Sequence, residues 1–90
     1  MIVLILEKAS PSLRGEVSRW LFEVKSGVFI GRISALVREE LWKLISEKLK
    51  QGSATLVYPI NNEQGFDTQV LGKPSRTLKD IDGLLLTKVK

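Results

Sequence analysis

Length, composition and charge set the first limits on this protein. The chain has 90 residues, of which 43% are hydrophobic, and this size predicts a single domain spanning 1–90 with a small core. Fourteen Lys and Arg against ten Asp and Glu give a net charge of +4, which permits an anionic partner. Without cysteine the chain has no disulfide or thiolate metal site, and this indicates a cytoplasmic protein. Without histidine it lacks the commonest general base.

The N-terminal third predicts a strand followed by a helix. Residues 2–7 form an unbroken aliphatic run, typical of a central strand covered on both faces and too short for a signal peptide or a membrane span. Ser10 is placed to cap a helix that begins at Pro11. Helical spacing predicts that this helix continues to about Lys25 and stops at Gly27. Its apolar positions are Leu13, Val17, Trp20, Leu21 and Val24.

A short strand and a second helix follow. Val28–Gly31 is too short for more than a reduced strand, and Ser34 is placed to cap the next helix. That helix is expected to end before Gly52. Its apolar face consists of Val37, Leu41, Leu44, Ile45 and Leu49.

The C-terminal half predicts strands. They cover 54–60, the half-exposed segment 66–71 and 84–89, with a basic loop at 72–82 before the last one. Strands alternating with two helices predict an α+β protein, with one mainly antiparallel sheet and both helices on a single face. A ferredoxin-like arrangement is the favoured version. Its edge strand, 66–71 or the last one, must be covered or paired with another chain.

Short motifs from the first strand to the last carry a family resemblance. They are Glu7, Pro11-x-Leu13-Arg14-Gly15, Trp20-Leu21-x-Glu23-Val24-Lys25-x-Gly27-Val28, Gly31, Ser34, Arg38-Glu39, Trp42, Asn61-x-Glu63-x-Gly65-Phe66 and Asp80-x-Asp82-Gly83-Leu84. In this order and spacing the chain resembles the smaller of the two universal CRISPR adaptation proteins, the CRISPR-associated protein "Cas-two", in its type I-E branch.

The resemblance implies a ferredoxin-like homodimer that works in spacer acquisition. Such a dimer sits between two dimers of the CRISPR integrase, binds the backbone of a duplex prespacer and leaves the chemistry to the integrase. In this function the protein needs no cofactor. The family also carries the name of a metal-dependent endoribonuclease or DNase, after an acidic residue that ends the first strand, which is Glu7 here.

Five cations are candidates for DNA contact. Arg14 lies in the first turn of a helix, where a cation opposes the helix dipole, so its position points to function rather than stability. Arg76 and Lys73 lie in the basic loop, and flexible basic loops suit phosphate binding. Lys25 and Arg38 bracket the short strand. The remaining cations are expected to be solvated: Arg19, Arg32, Lys43, Lys48 and Lys50.

Glu7 has two interpretations. Duplicated across a dimer axis, it could hold Mg²⁺ and activate water, with Glu63, Asp80 and Asp82 as the available helpers. It could equally pair with a lysine or cap a helix. The sequence therefore leaves three hypotheses: a non-catalytic DNA scaffold, which we favour, a Mg²⁺-dependent nuclease, and a small toxin-like or regulatory ferredoxin-like protein without CRISPR partners.

Three other features have simpler explanations. Trp20 and Trp42 lie at helical spacing, so packing in the core or a dimer interface is expected rather than base stacking. Asp80-x-Asp82-Gly83 lacks the later ligands of a calcium loop and is expected to be a turn. The segment after Leu84 is the expected docking strand for the integrase.

Overall fold

A computed structural model gives the fold of residues 1–61 and 65–73. Its elements, in chain order, are β1 (Ile2–Glu7), α1 (Pro11–Val17), β2 (Phe22–Lys25), β3 (Val28–Gly31), α2 (Ala35–Lys48), β4 (Ser53–Pro59) and β5 (Phe66–Leu71). The predicted strand 84–89, most of the predicted loop 72–82 and the candidate residues Glu63, Arg76, Asp80 and Asp82 lie outside the described residues.

The strands form one antiparallel sheet in the order β2-β3-β1-β4-β5. Its first four strands alternate with the two helices as β1-α1-β2-β3-α2-β4, which is the ferredoxin-like arrangement, and β5 adds an edge strand beside β4. The predicted α+β class and ferredoxin-like fold are therefore confirmed.

The core lies between the helices and one face of the sheet. Side chains alternate along β1, so Ile2, Leu4 and Leu6 are buried against the helices while Val3 and Ile5 are half-buried on the other face. The continuous aliphatic run had predicted cover on both faces, whereas the two described helices lie on one. The buried residues beneath the helices include Leu13, Val17, Phe29, Leu41, Ile45 and Leu56.

The prediction of one long first helix to Lys25 was wrong. α1 ends at Val17, and β2 forms a hairpin with β3. Gly27 lies in the hairpin turn with φ +79°, and a Cβ there would collide with the Leu6 carbonyl oxygen. Phe22 and Val24 favour strand, and because Leu21 is buried four residues after Val17, the pattern looked helical.

The second helix and both N-caps match the predictions. The Ser34 side chain accepts a hydrogen bond from the Val37 N–H at 3.2 Å, and Ser10 accepts one from Leu13 at 3.1 Å. α1 has seven residues and α2 fourteen, which corresponds to about 10 Å and 21 Å at 1.5 Å per residue. Neither is long and apolar enough to cross a membrane, and no other helix occurs in the described residues.

Candidate nucleic-acid interface

Five lysines gather at one end of the sheet, which we call the lysine end: Lys8, Lys25, Lys48, Lys50 and Lys73. Backbone contacts bring them together. The Leu6 N–H donates to the Gly27 carbonyl at 2.7 Å, so the β2–β3 turn reaches the end of β1. Gly52 lies against Glu7, and Gly72 lies against Gly52, so the start of β4 and the end of β5 meet there too.

Two adjoining cavities line this end, and Lys8 belongs to both. The first, about 360 Å³, lies between Lys8, Lys48 and Lys50, and the second, about 530 Å³, lies between Glu7, Lys8 and Lys73. Lys8 has φ 58°, a left-handed conformation that non-glycine residues seldom adopt. The chain therefore reverses at Lys8 and leaves its side chain exposed between the two cavities.

The cations of the lysine end are spaced across the whole sheet. Neighbouring strands lie about 4.8 Å apart, so β2 and β5 are separated by roughly 19 Å, the length of about five to six base pairs. Lys48 pairs with Glu16 at 2.9 Å. Within the part of the chain that the structure describes, no ion pair engages the other four lysines.

Arg14 is brought near this end but has a partner within the chain. Its Nη2 donates to Glu23 Oε2 at 2.7 Å, and the same oxygen accepts the Gly27 N–H at 2.8 Å. These two hydrogen bonds, the backbone one first, hold the pKa of Glu23 below its ordinary value. The Arg14 side chain remains 38% exposed, so it stays accessible to an anion.

Arg38 lies at the opposite end of the sheet. Its guanidinium stacks 3.9 Å from the centre of the Tyr58 ring, near the end of β4 that is remote from Ser53. Burial, and then Asp67, raise the pKa of Tyr58. The structure thus places Lys25 and Lys73 at the same end of the sheet, on its two opposite edges, with Arg14 nearby, and places Arg38 at the other end. Its contact with DNA stays a prediction.

Glu7 ends β1 at the lysine end. Its Oε1 accepts a hydrogen bond from Ser53 Oγ at 2.9 Å, and Lys8 and Lys73 line the same cavity. Within residues 1–61 and 65–73, no three acidic side chains gather. Mg²⁺ requires octahedral oxygen coordination, and Glu7 is the one carboxylate among the described residues that line this cavity, so these described residues alone do not fit the metal.

The face of the sheet opposite the described helices is apolar. Val3 lies between Ile30 and Val57, and Ile5 lies between Val28 and Thr55. Thr55 and Val57 are buried, at 1% and 2% exposure, and Val3 and Ile5 are half-buried. Three side chains at the margins of this face are exposed: Phe22, Phe66 and Val70. We call it the open face.

Sequence reasoning missed Lys8 and expected Lys48 and Lys50 to be only solvated. Lys8 has no motif around it, and only the path of the chain shows that it lies between Lys50 and Lys73. The tryptophans were expected in the core or a dimer interface. Trp42 is half-buried against the core, whereas Trp20 is 52% exposed, and its packing in an interface stays a prediction.

Fold and surface together define a small ferredoxin-like protein with a basic end and an apolar sheet face whose margins are exposed. A comparison with known protein families identifies the relatives of this chain. The family model described as CRISPR-associated protein (Cas_Cas2CT1978) matches residues 1–86. The chain belongs to this Cas2-like family, and its role is CRISPR-related.

Proposed function

We propose that the protein is a homodimeric scaffold of the CRISPR adaptation complex, which binds the backbone of duplex prespacer DNA and bridges two integrase dimers. The observation that carries this proposal is the lysine end, a row of cations as wide as the sheet on a protein of a CRISPR-associated family. Most of the row lies at strand ends and in turns, where lysines supply charge to phosphates and do not read bases.

The open face supports the homodimer. Its half-buried and exposed apolar side chains would lose water contact if a second copy packed against them, and stacked sheets bury such faces at a separation of about 10 Å. Exposed Phe22, Phe66 and Val70 lie at the margins of the contact. A twofold axis through this face would place two lysine ends on one particle, and so extend the track available to a duplex.

Binding of this kind is independent of sequence. Lysine ammonium groups act on phosphates as point charges, and release of counterions drives the association. A protein that helps to store foreign DNA has to accept any sequence, so an interface that makes no base contacts fits that task. The DNA-binding residues of the proposal are Lys8, Lys25, Lys50 and Lys73 with Arg14 and Arg76, and Arg38 is retained as a further candidate.

The scaffold needs no cofactor of its own. The competing nuclease would use Mg²⁺ and Glu7 of both copies, and its ligands would have to include groups beyond the described residues of one chain. The surroundings of Glu7, with Ser53 as hydrogen-bond donor and two lysines nearby, support a structural carboxylate more than a metal ligand.

Spacer acquisition in cells that carry the integrase and a CRISPR array tests the proposal. We expect Lys8→Ala/Lys73→Ala to abolish acquisition, while Lys43→Ala, which removes an exposed lysine of α2, leaves it unchanged. We also expect Glu7→Gln to retain acquisition. Normal acquisition by the double lysine variant would contradict the DNA interface, and loss with Glu7→Gln alone would favour the nuclease.

A further inference from the structure

An apolar cleft lies between α2 and the chain that follows α1. It has a volume of about 370 Å³ and is lined by Trp20, Leu36, Val37, Glu40, Leu41 and Leu44. Leu41 belongs to the core and forms the floor, whereas Trp20 and Leu36 are 52% and 68% exposed. We call this the Trp20 cleft. Its volume falls in the usual range for binding pockets, about 300–1,000 Å³.

The cleft exists because the two helices differ in length. Lys48, the last residue of α2, pairs with Glu16, so the short α1 lies beside the C-terminal half of α2. The first two turns of α2 have no helical neighbour within the described chain. Instead, backbone hydrogen bonds from Trp20 and Leu21 to the Val17 carbonyl, each 3.0 Å long, fold the chain after α1 and leave the indole beside Leu36.

We propose that the Trp20 cleft docks a segment of a partner protein that inserts one large apolar side chain and carries a lysine or arginine next to it. The apolar walls select the inserted side chain, and an exposed tryptophan beside aliphatic groups is a common interface anchor. Glu40 supplies the charge preference, because it lines the cleft and forms no ion pair among the described residues.

The position of the cleft allows this partner protein and DNA to bind at the same time. Gly31, at the end of β3 remote from the β2–β3 turn, packs against Leu21 and the Trp20 carbonyl, so the cleft and the lysine end lie at opposite ends of the sheet. A scaffold that holds DNA and a protein together needs two such separate surfaces. The inference therefore rests on the proposed function and names the integrase subunit as the partner.

The test is binding of the purified integrase subunit to the full-length protein. In a Trp42→Phe background Trp20 is the only tryptophan, so its fluorescence reports on the cleft directly. We expect the integrase subunit to change Trp20 emission. Leu36→Glu should weaken integrase binding at least about tenfold, since a charge in an apolar anchor site removes a hot spot. Glu40→Lys should weaken it as well through repulsion of the partner's cation.

Ser46→Glu serves as the matched control, because it adds the same charge at an exposed position of the same helix that does not line the cleft. Equal integrase binding by wild type and Leu36→Glu would overturn the inference and leave the scaffold intact. Failure of the wild type to bind integrase would overturn both. Quenching of Trp20 by duplex DNA alone would assign the cleft to DNA and overturn the inference. Loss of the homodimer in Leu36→Glu would assign the cleft to a second copy of the chain and also overturn it.

Discussion

Arg14 and Glu23 join the first helix to the first hairpin. The Arg14 guanidinium lies 2.7 Å from a Glu23 carboxylate oxygen that also accepts the Gly27 N–H. The Arg14 Nε is buried without a hydrogen-bond partner, so the arginine is only partly satisfied by the protein. The ion pair thus holds a cation close to the lysine end, and because the side chain is 38% exposed, its accessible guanidinium N–H groups, rather than the buried Nε, can donate to a phosphate.

The stability of this junction should depend on pH through Glu23. Because its pKa is lowered in the folded state, the carboxylate contributes stability above the unfolded value of 4.5 and loses it as the pH falls through the folded value. We expect the melting temperature of the wild type to exceed that of Glu23→Gln at pH 7. The difference should shrink below pH 4.5. A difference that stays constant as the pH falls would contradict this role.

Alanine substitutions at two glycines should change the unfolding free energy in opposite directions. Gly52 has φ +92°, and an added Cβ would collide with the Glu7 carbonyl oxygen, so we expect Gly52→Ala to cost more than about 1 kcal/mol of unfolding free energy. Gly15 lies in α1 with nothing within 4 Å of its added Cβ. Gly15→Ala should stabilise the protein by about 0.5–1 kcal/mol. Urea denaturation measures both, and a stable Gly52→Ala would contradict the close approach.

The first hairpin and its surroundings show which features the sequence predicts and which it does not. Ser10, Ser34 and the periodicity of α2 carry local signals, so both caps and the second helix were predicted correctly. The end of α1 at Val17 could not be predicted, because Leu21 is buried at helical spacing. Only the packing of Leu21 against Gly31 shows that the chain has left the helix. The lysine end could not be predicted either, because it depends on tertiary structure, namely on which strand ends lie next to each other.

The homodimer should require the open face. Val70 lies on that face opposite Thr55 and is exposed, so Val70→Asp places a charge where the second copy is proposed to pack. We expect sedimentation to show monomers of this variant at concentrations where the wild type is dimeric. Leu36→Glu is the control, since it adds a charge on the helix side and should remain dimeric. If the Val70→Asp protein is dimeric, the dimer interface lies on another surface.

Nuclease activity is tested with Glu7. We expect the purified protein to cleave neither duplex DNA nor RNA in Mg²⁺ at a rate that Glu7→Gln changes, because the described residues that line its cavity include two lysines and no other carboxylate. Gel assays with both substrates measure this, with Ser53→Ala as a control that removes only the hydrogen bond. Metal-dependent cleavage that disappears in Glu7→Gln would establish the enzyme.

The most direct test of the account is the salt dependence of duplex DNA binding by the protein with its integrase. Each lysine that contacts a phosphate contributes about 0.9 to the slope of log affinity against log salt concentration. Lys8→Ala/Lys73→Ala should therefore bind more weakly, equally so for unrelated duplex sequences, and with a slope shallower by nearly 2 per chain, whereas Lys43→Ala should match the wild type. An unchanged affinity and slope in the double variant would show that the lysine end does not hold DNA.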